Sequence, residues 1–182
     1  VYTLITALGK DRNWMVKAGC ACALGKIGSN KAVHALNTIL ITDAEAEASW
    51  ARKTASWALA KIGEGAIESL VSALRDNEKS TRRRASWSLI QIGEPAIPHL
   101  IRTLRDTNKF ARVRSAIVLG WIGNKKVVTS LSWALHDENL SVRKTAAWAL
   151  GKIGGAEAKS LLENISSDED ENVLEYAREA IQ

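Results

Sequence analysis

The chain has 182 residues, 46% of them hydrophobic and 25% charged, a balance that fits a folded globular protein and excludes disordered and collagen-like classes. No apolar run reaches the roughly 18 residues a membrane-crossing helix needs, no signal-peptide pattern stands at the start, and Cys20 and Cys22 alone make no disulfide framework. A reducing, cytoplasmic setting without membrane contact is therefore expected, and the net charge of +5 favours acidic partners without choosing one.

The chain opens on VYTLITAL, already inside a helical pattern, which reads as a fragment of a longer protein. A twelve-residue element follows, KAGCACALGKIG (Lys17–Gly28). It returns as RKTASWALAKIG (Arg52–Gly63), RRRASWSLIQIG (Arg82–Gly93), RVRSAIVLGWIG (Arg112–Gly123) and RKTAAWALGKIG (Arg143–Gly154). The Ile-Gly corners at Ile27, Ile62, Ile92, Ile122 and Ile153 are spaced by 35, 30, 30 and 31 residues. A period near 30 residues suits a two-helix unit that buries its apolar face only by stacking on neighbours. With two prolines and no Ser- or Gly-rich run, no linker is evident. The expectation is an all-α, right-handed solenoid (a superhelix) of five to six repeats. These fall at 1–32, 33–66, 67–96, 97–127 and 128–158, with a partial capping unit at 159–182.

Each repeat reads as helix A, a short turn, helix B and the corner. Helix A shows in Val33, Leu36, Leu40; Ile67, Leu70, Leu74; Ile97, Leu100, Leu104; and Val128, Leu131, Leu135. These i, i+3, i+7 steps share one helical face, and no alternating run suggests a strand. In helix B the positions eleven, seven and three before the corner are apolar or small, ending in Leu24, Leu59, Leu89, Leu119 and Leu150. With the corner Ile they predict one buried stripe, the small residue seven back permitting close helix approach. The corner glycines stand where a left-handed C-terminal cap belongs. Pro95 follows one of them and Pro98 falls near the start of the next helix A.

Asp76, Asp106 and Asp137 each precede Arg82, Arg112 and Arg143 by six residues, as Asp11 precedes Lys17. A structural role is predicted for these pairs, with Asp capping or bracketing helix B and meeting the basic residue within or between repeats. The second repeat departs: Asp43 lies nine before Arg52, which predicts a bulging loop. The last unit carries Leu174 in place of the basic residue, after the acidic SSDEDEN (Ser166–Asn172), a candidate cap.

These features resemble HEAT-like repeats of the phycobilisome-lyase type, on Asp137, Val142, Arg143, Ala146, Ala147, Leu150, Gly151, Ile153 and Gly154 above all. The resemblance spans nearly the whole chain. It implies the solenoid fold with helix B lining a concave inner surface. It does not select among bilin lyase subunits, adaptor proteins and the many members of unknown role. A related fold, that of HEAT-like alkylpurine DNA glycosylases, holds DNA in its concavity, but their catalytic Asp has no counterpart on that surface in the first five repeats.

Helix B has a second face. Five before the corner stand Trp57, Trp87 and Trp148, with Cys22 and Ile117 in the other copies. Within about 60° of that position lie Trp50, Phe110 and Met15; Lys53, Arg83 and Lys144; Arg84 and Arg114; and Trp121, Lys26, Lys61 and Lys152. The candidate binding face is therefore Trp50, Lys53, Trp57, Arg83, Arg84, Trp87, Arg114, Trp121, Lys144 and Trp148. Core or inter-repeat packing is the competing account of the tryptophans. A protein segment is the first partner such a face suggests, because Trp and Arg dominate interface hot spots. Nucleic acid is the second, through phosphate neutralisation and base stacking, and a bilin the third, through the lyase resemblance. No metal or phosphate-loop motif is present. Cys20 and Cys22 project about 200° apart on their helix, so they do not easily share a metal; no catalytic residue and no cofactor is expected.

Overall fold

The computed structural model describes residues 1–41, 49–165 and 171–181, and no strand occurs among them. The chain is an all-α solenoid of two-helix repeats. One unit, Val1–Ala96, carries α1 (Tyr2–Lys10), α2 (Trp14–Ile27), α3 (Val33–Ile41), α4 (Ser49–Ile62), α5 (Ile67–Ala73) and α6 (Lys79–Ile92). The other, Ile97–Gln182, carries α7 (Ile97–Thr103), α8 (Lys109–Ile122), α9 (Val128–Ala134), α10 (Leu140–Ile153), α11 (Ala156–Glu163) and α12 (Glu171–Ile181). Asp43 and its predicted loop, and the Ser166–Asp170 part of the acidic segment, lie outside the described residues.

The B helices α2, α4, α6, α8 and α10 are each 14 residues long and end on the corner Ile. Leu24, Leu59, Leu89, Leu119 and Leu150 are fully buried, each stabilising its repeat by about 1.5–3 kcal/mol through removal from water. The corner isoleucines do not join them. Ile27 is exposed and Ile62, Ile92, Ile122 and Ile153 are half-buried, because the helix ends there and the chain turns away from the core. Burial extends round the helix instead, to Ala21, Ala58, Ser88, Ala116, Val118 and Ala149. Each B helix is thus packed against its own A helix, and within the units α2 packs on α4, α4 on α6, and α8 on α10. Small side chains permit this. The Ser88 hydroxyl even donates across to the Ser56 carbonyl at 2.8 Å.

Close contact between B helices falls two residues before the corner. A Cβ added to Gly25 would lie 2.7 Å from the Ala58 Cα, and one added to Gly120 would lie 3.0 Å from the Ala149 Cα. A single 3-10 turn then leads into the next A helix in four repeats, burying Ala32, Ala66, Ala96 or Val127.

The corner glycines share a positive φ but not one conformation. Gly28 (φ 68°, ψ 25°) is left-handed helical, whereas Gly93 (φ 77°, ψ −136°) occupies a region that only glycine enters readily. Gly93→Ala is therefore expected to lower stability by about 1–3 kcal/mol, and Gly28→Asn by about 1 kcal/mol or less. Urea unfolding of the two variants checks this. Equal losses would show that the difference in ψ has no energetic weight.

Candidate functional site

The A-to-B turn positions everything that follows. Asp11, Asp76, Asp106 and Asp137 do not cap helix B. Each accepts, through Oδ1, the backbone N–H two residues on, at 2.7–2.9 Å. That next residue is the N-cap: Asn13, Glu78, Asn108 and Asn139 accept from the first turn of α2, α6, α8 and α10. The arginine six residues after Asp closes the turn from inside helix B. Arg82 Nη1 donates to the carbonyls of Asp76 (2.6 Å) and Asn77 (2.7 Å). Arg112 Nη1 does so to Asp106 (2.9 Å) and Thr107 (3.2 Å), and Arg143 Nη1 to Asp137 (3.0 Å) and Glu138 (3.3 Å).

Arg112 also reaches the following repeat. Its Nε donates to Asp137 Oδ2 at 2.8 Å and its Nη2 to Asp137 Oδ1 at 2.9 Å. This bidentate bond to Asp137, more than any other contact, raises the Arg112 pKa above the ordinary arginine value.

With the B helices so fixed, α2, α4 and α6 enclose an open groove of about 640 Å³ in the first unit. Six of the predicted binding residues line it together: Trp50, Lys53, Trp57, Arg83, Arg84 and Trp87. Trp50 is 57% exposed and Trp87 is 42% exposed, whereas Trp57 is half-buried. The difference has a local cause. The Trp57 ring lies against Gly25 of the preceding B helix, so close that a Cβ there would sit 3.0 Å from its Cζ3. The position equivalent to Gly25 in the repeat before Trp87 is Ala60. Ammonium groups stand over two of the indoles, Lys53 Nζ 5.3 Å from the Trp50 centroid and Lys61 Nζ 5.8 Å from that of Trp57.

Arg84 is half-buried in this lining. Its Nη1 donates to Ser80 Oγ at 2.9 Å and its Nη2 to Ser49 Oγ at 3.4 Å. Burial first, then the charges of Arg52 and Arg83, hold its pKa below the usual arginine value, with Glu78 acting in the opposite sense. Among the described residues, no carboxylate lines the groove.

The remaining predicted residues, Arg114, Trp121, Lys144 and Trp148, belong to the second unit. Trp121 is exposed and meets the half-buried Trp148 at 6.0 Å between centroids and a 56° tilt. Lys152 Nζ stands 4.2 Å over Trp121, and the Trp148 ring lies against Gly120. Arg114 and Lys144 are half-buried and engaged in interactions of their own. Here Trp121 is engaged by both Trp148 and Lys152.

Some features lay beyond the sequence reading. Ser49, Thr54, Ser56 and Ser80 line the groove. Thr54 and Ser80 occupy the repeat positions of Arg84 and Trp50, so the spacing that selected the large residues marks them too. Trp133, on helix A, is exposed, with the Arg105 guanidinium 4.0 Å from its ring centroid. Cys20 is buried and Cys22 half-buried on the groove wall. Among the described residues, no group of three or more His, Cys, Asp or Glu is placed to hold a metal ion, and no helix is long and apolar enough to cross a membrane.

No curated protein sequence matches the chain. Solved structures do. One, described as the structural basis of microtubule plus end tracking by XMAP215, CLIP-170 and EB1, aligns with a TM-score of 0.66 and 16% identity over 99% of this chain and 89% of that one. Human deoxyhypusine hydroxylase in complex with glycerol aligns with a TM-score of 0.53 and 23% identity, over 99% and 72% respectively. A designed armadillo repeat protein in complex with the peptide (KR)4 aligns with a TM-score of 0.50 and 22% identity, over 99% and 98%. At these identities the likeness is one of fold. In sequence, a profile of HEAT repeats matches residues 40–117 and 97–182, well over half of the chain, and the chain belongs to the HEAT-repeat family.

Proposed function

We propose that the chain is a non-catalytic recognition module, and that its first unit takes a segment of a partner protein in the groove formed by α2, α4 and α6. The observation that carries this reading is the exposure of Trp50 and Trp87 beside Trp57 in one concave lining with Lys53, Arg83 and Arg84. Large aromatic surface left in water beside arginine is the composition of an interface hot spot. The groove's volume of about 640 Å³ is within the range of sites that enclose small ligands or a few side chains. The designed solenoid that holds a peptide shares this fold, which supports a linear segment as the occupant. Nucleic acid and a bilin would address the same lining and serve as competitors in the test.

Selection of a random linear peptide library on the wild-type protein, with the Trp87→Ala, Arg84→Ala double variant as counter-selection, tests the reading. Both side chains are partly exposed, so the double variant is expected to melt close to wild type. Its affinity for selected peptides should fall by about 30-fold or more, the size of a hot spot. If the double variant unfolds, these side chains are packing and the groove is not the site. If no selected peptide distinguishes the two proteins, or oligothymidylate or biliverdin alone binds, the protein-segment reading fails.

A further inference from the structure

The groove in the first unit has an unusual charge balance for an apolar cleft. Lys53, Arg83 and Arg84 face it, and among the described residues no carboxylate does. We propose that the occupant is an acidic protein segment, in which an apolar side chain lodges among Trp50, Trp57 and Trp87 while a neighbouring carboxylate is held by Arg84. This rests on the groove being the binding site and names the chemistry of what binds there.

Arg84 is the residue built for that task. Its guanidinium is held by Ser80 of its own helix and by Ser49 at the start of α4, so its direction is set before any ligand arrives. Two of its five N–H donors are thereby used on neutral hydroxyls, which orient the group without offsetting its charge. Donors enough remain for the two parallel bonds that a carboxylate accepts. The neighbouring charges of Arg52 and Arg83, which together with partial burial lower its pKa, add to the pull on an incoming anion.

At two of the three indoles the same geometry leaves less room for stacked nucleobases. Base stacking needs open aromatic faces. Lys53 and Lys61 stand over Trp50 and Trp57, and Trp57 is seated against Gly25. What these indoles present is a cation-decorated apolar wall, suited to an aliphatic or aromatic side chain flanked by acid.

The test uses two random linear peptide libraries, one lacking Asp and Glu and the other lacking Lys and Arg, each selected on the wild-type protein. Binding is checked by protection of the groove thiol Cys22 from alkylation; Cys20 is buried. Peptides that protect Cys22 are expected from the acid-containing library alone. Their affinity should fall by about tenfold or more with Arg84→Ala, fall less with Arg84→Lys, and weaken with salt. If the acid-free library yields protecting peptides as readily, the acidic-segment proposal is overturned while the groove stands. If neither library yields one, both proposals fall. If oligothymidylate protects Cys22 and displaces every selected peptide, the occupant is nucleic acid and the proposal is likewise overturned.

Discussion

Replacing Arg112 with alanine is expected to lower stability by roughly 3–5 kcal/mol, as when one partner of a buried ion pair is removed. The Arg112 and Asp137 side chains are 8% and 11% exposed. The substitution leaves Asp137 with its charge and little water, and it strips the Asp106 and Thr107 carbonyls of their shared donor. The contact to Glu138, a side chain 88% exposed, adds little. Arg112→Lys keeps the charge but loses the fork and the turn contacts together, and is expected to fall between alanine and wild type. Urea unfolding measures both. A double variant with Asp137→Ala should lose less than the sum of the single variants, because it removes the stranded carboxylate. A loss below about 1 kcal/mol for Arg112→Ala would mean that the pair behaves as a solvated surface contact.

The second large effect is expected at Gly25. A Cβ there would sit 2.7 Å from the Ala58 Cα and 3.0 Å from the Trp57 ring. A backbone atom cannot step aside as a flexible side chain does, so α2 and α4 must separate. Overpacking of this kind costs about 1–3 kcal/mol, sometimes more, against about 1 kcal/mol gained from better helix propensity. Gly25→Ala should therefore lose up to about 2 kcal/mol and Gly25→Leu more, with Trp57 displaced and its fluorescence red-shifted. The control lies on the same helix. A Cβ on Gly19 meets nothing within 4 Å, and Gly19→Ala should stabilise by about 1 kcal/mol. If both alanine variants stabilise, the close approach at Gly25 is not a constraint.

Gly25 also shows where sequence reading stopped. The Ile-Gly period and the leucine three residues before each corner specify the repeat, because those leucines are inward-facing in every copy. The corner isoleucines mislead: periodicity extends the stripe to them, but a helix end loses its neighbours on one side. Asp before the turn suggested a cap. Asn13, Glu78, Asn108 and Asn139 take that role, since the Asp carboxylate is already committed to the backbone N–H of the cap itself. As for the binding face, helical angles place Trp57, Trp87 and Trp148 on one stripe. How far Trp57 and Trp148 are covered depends on a different helix, on the glycine, Gly25 or Gly120, that each ring lies against. That is information one repeat does not hold about itself. The groove serines were missed because only bulk and charge were sought on the stripe, whereas Ser49 and Ser80 matter for the direction they give Arg84.

The Arg112–Asp137 bond bears on how such arrays can be cut and rejoined. The visible cassette runs from one Ile-Gly corner to the next, and a duplication or graft made there respects the sequence period. Yet the guanidinium of one cassette is anchored to the carboxylate of the following one, and the same guanidinium stitches its own turn. A junction placed between them transplants half of a joint. At this joint a foreign repeat therefore keeps the bond only if it brings the matching arginine or aspartate with it.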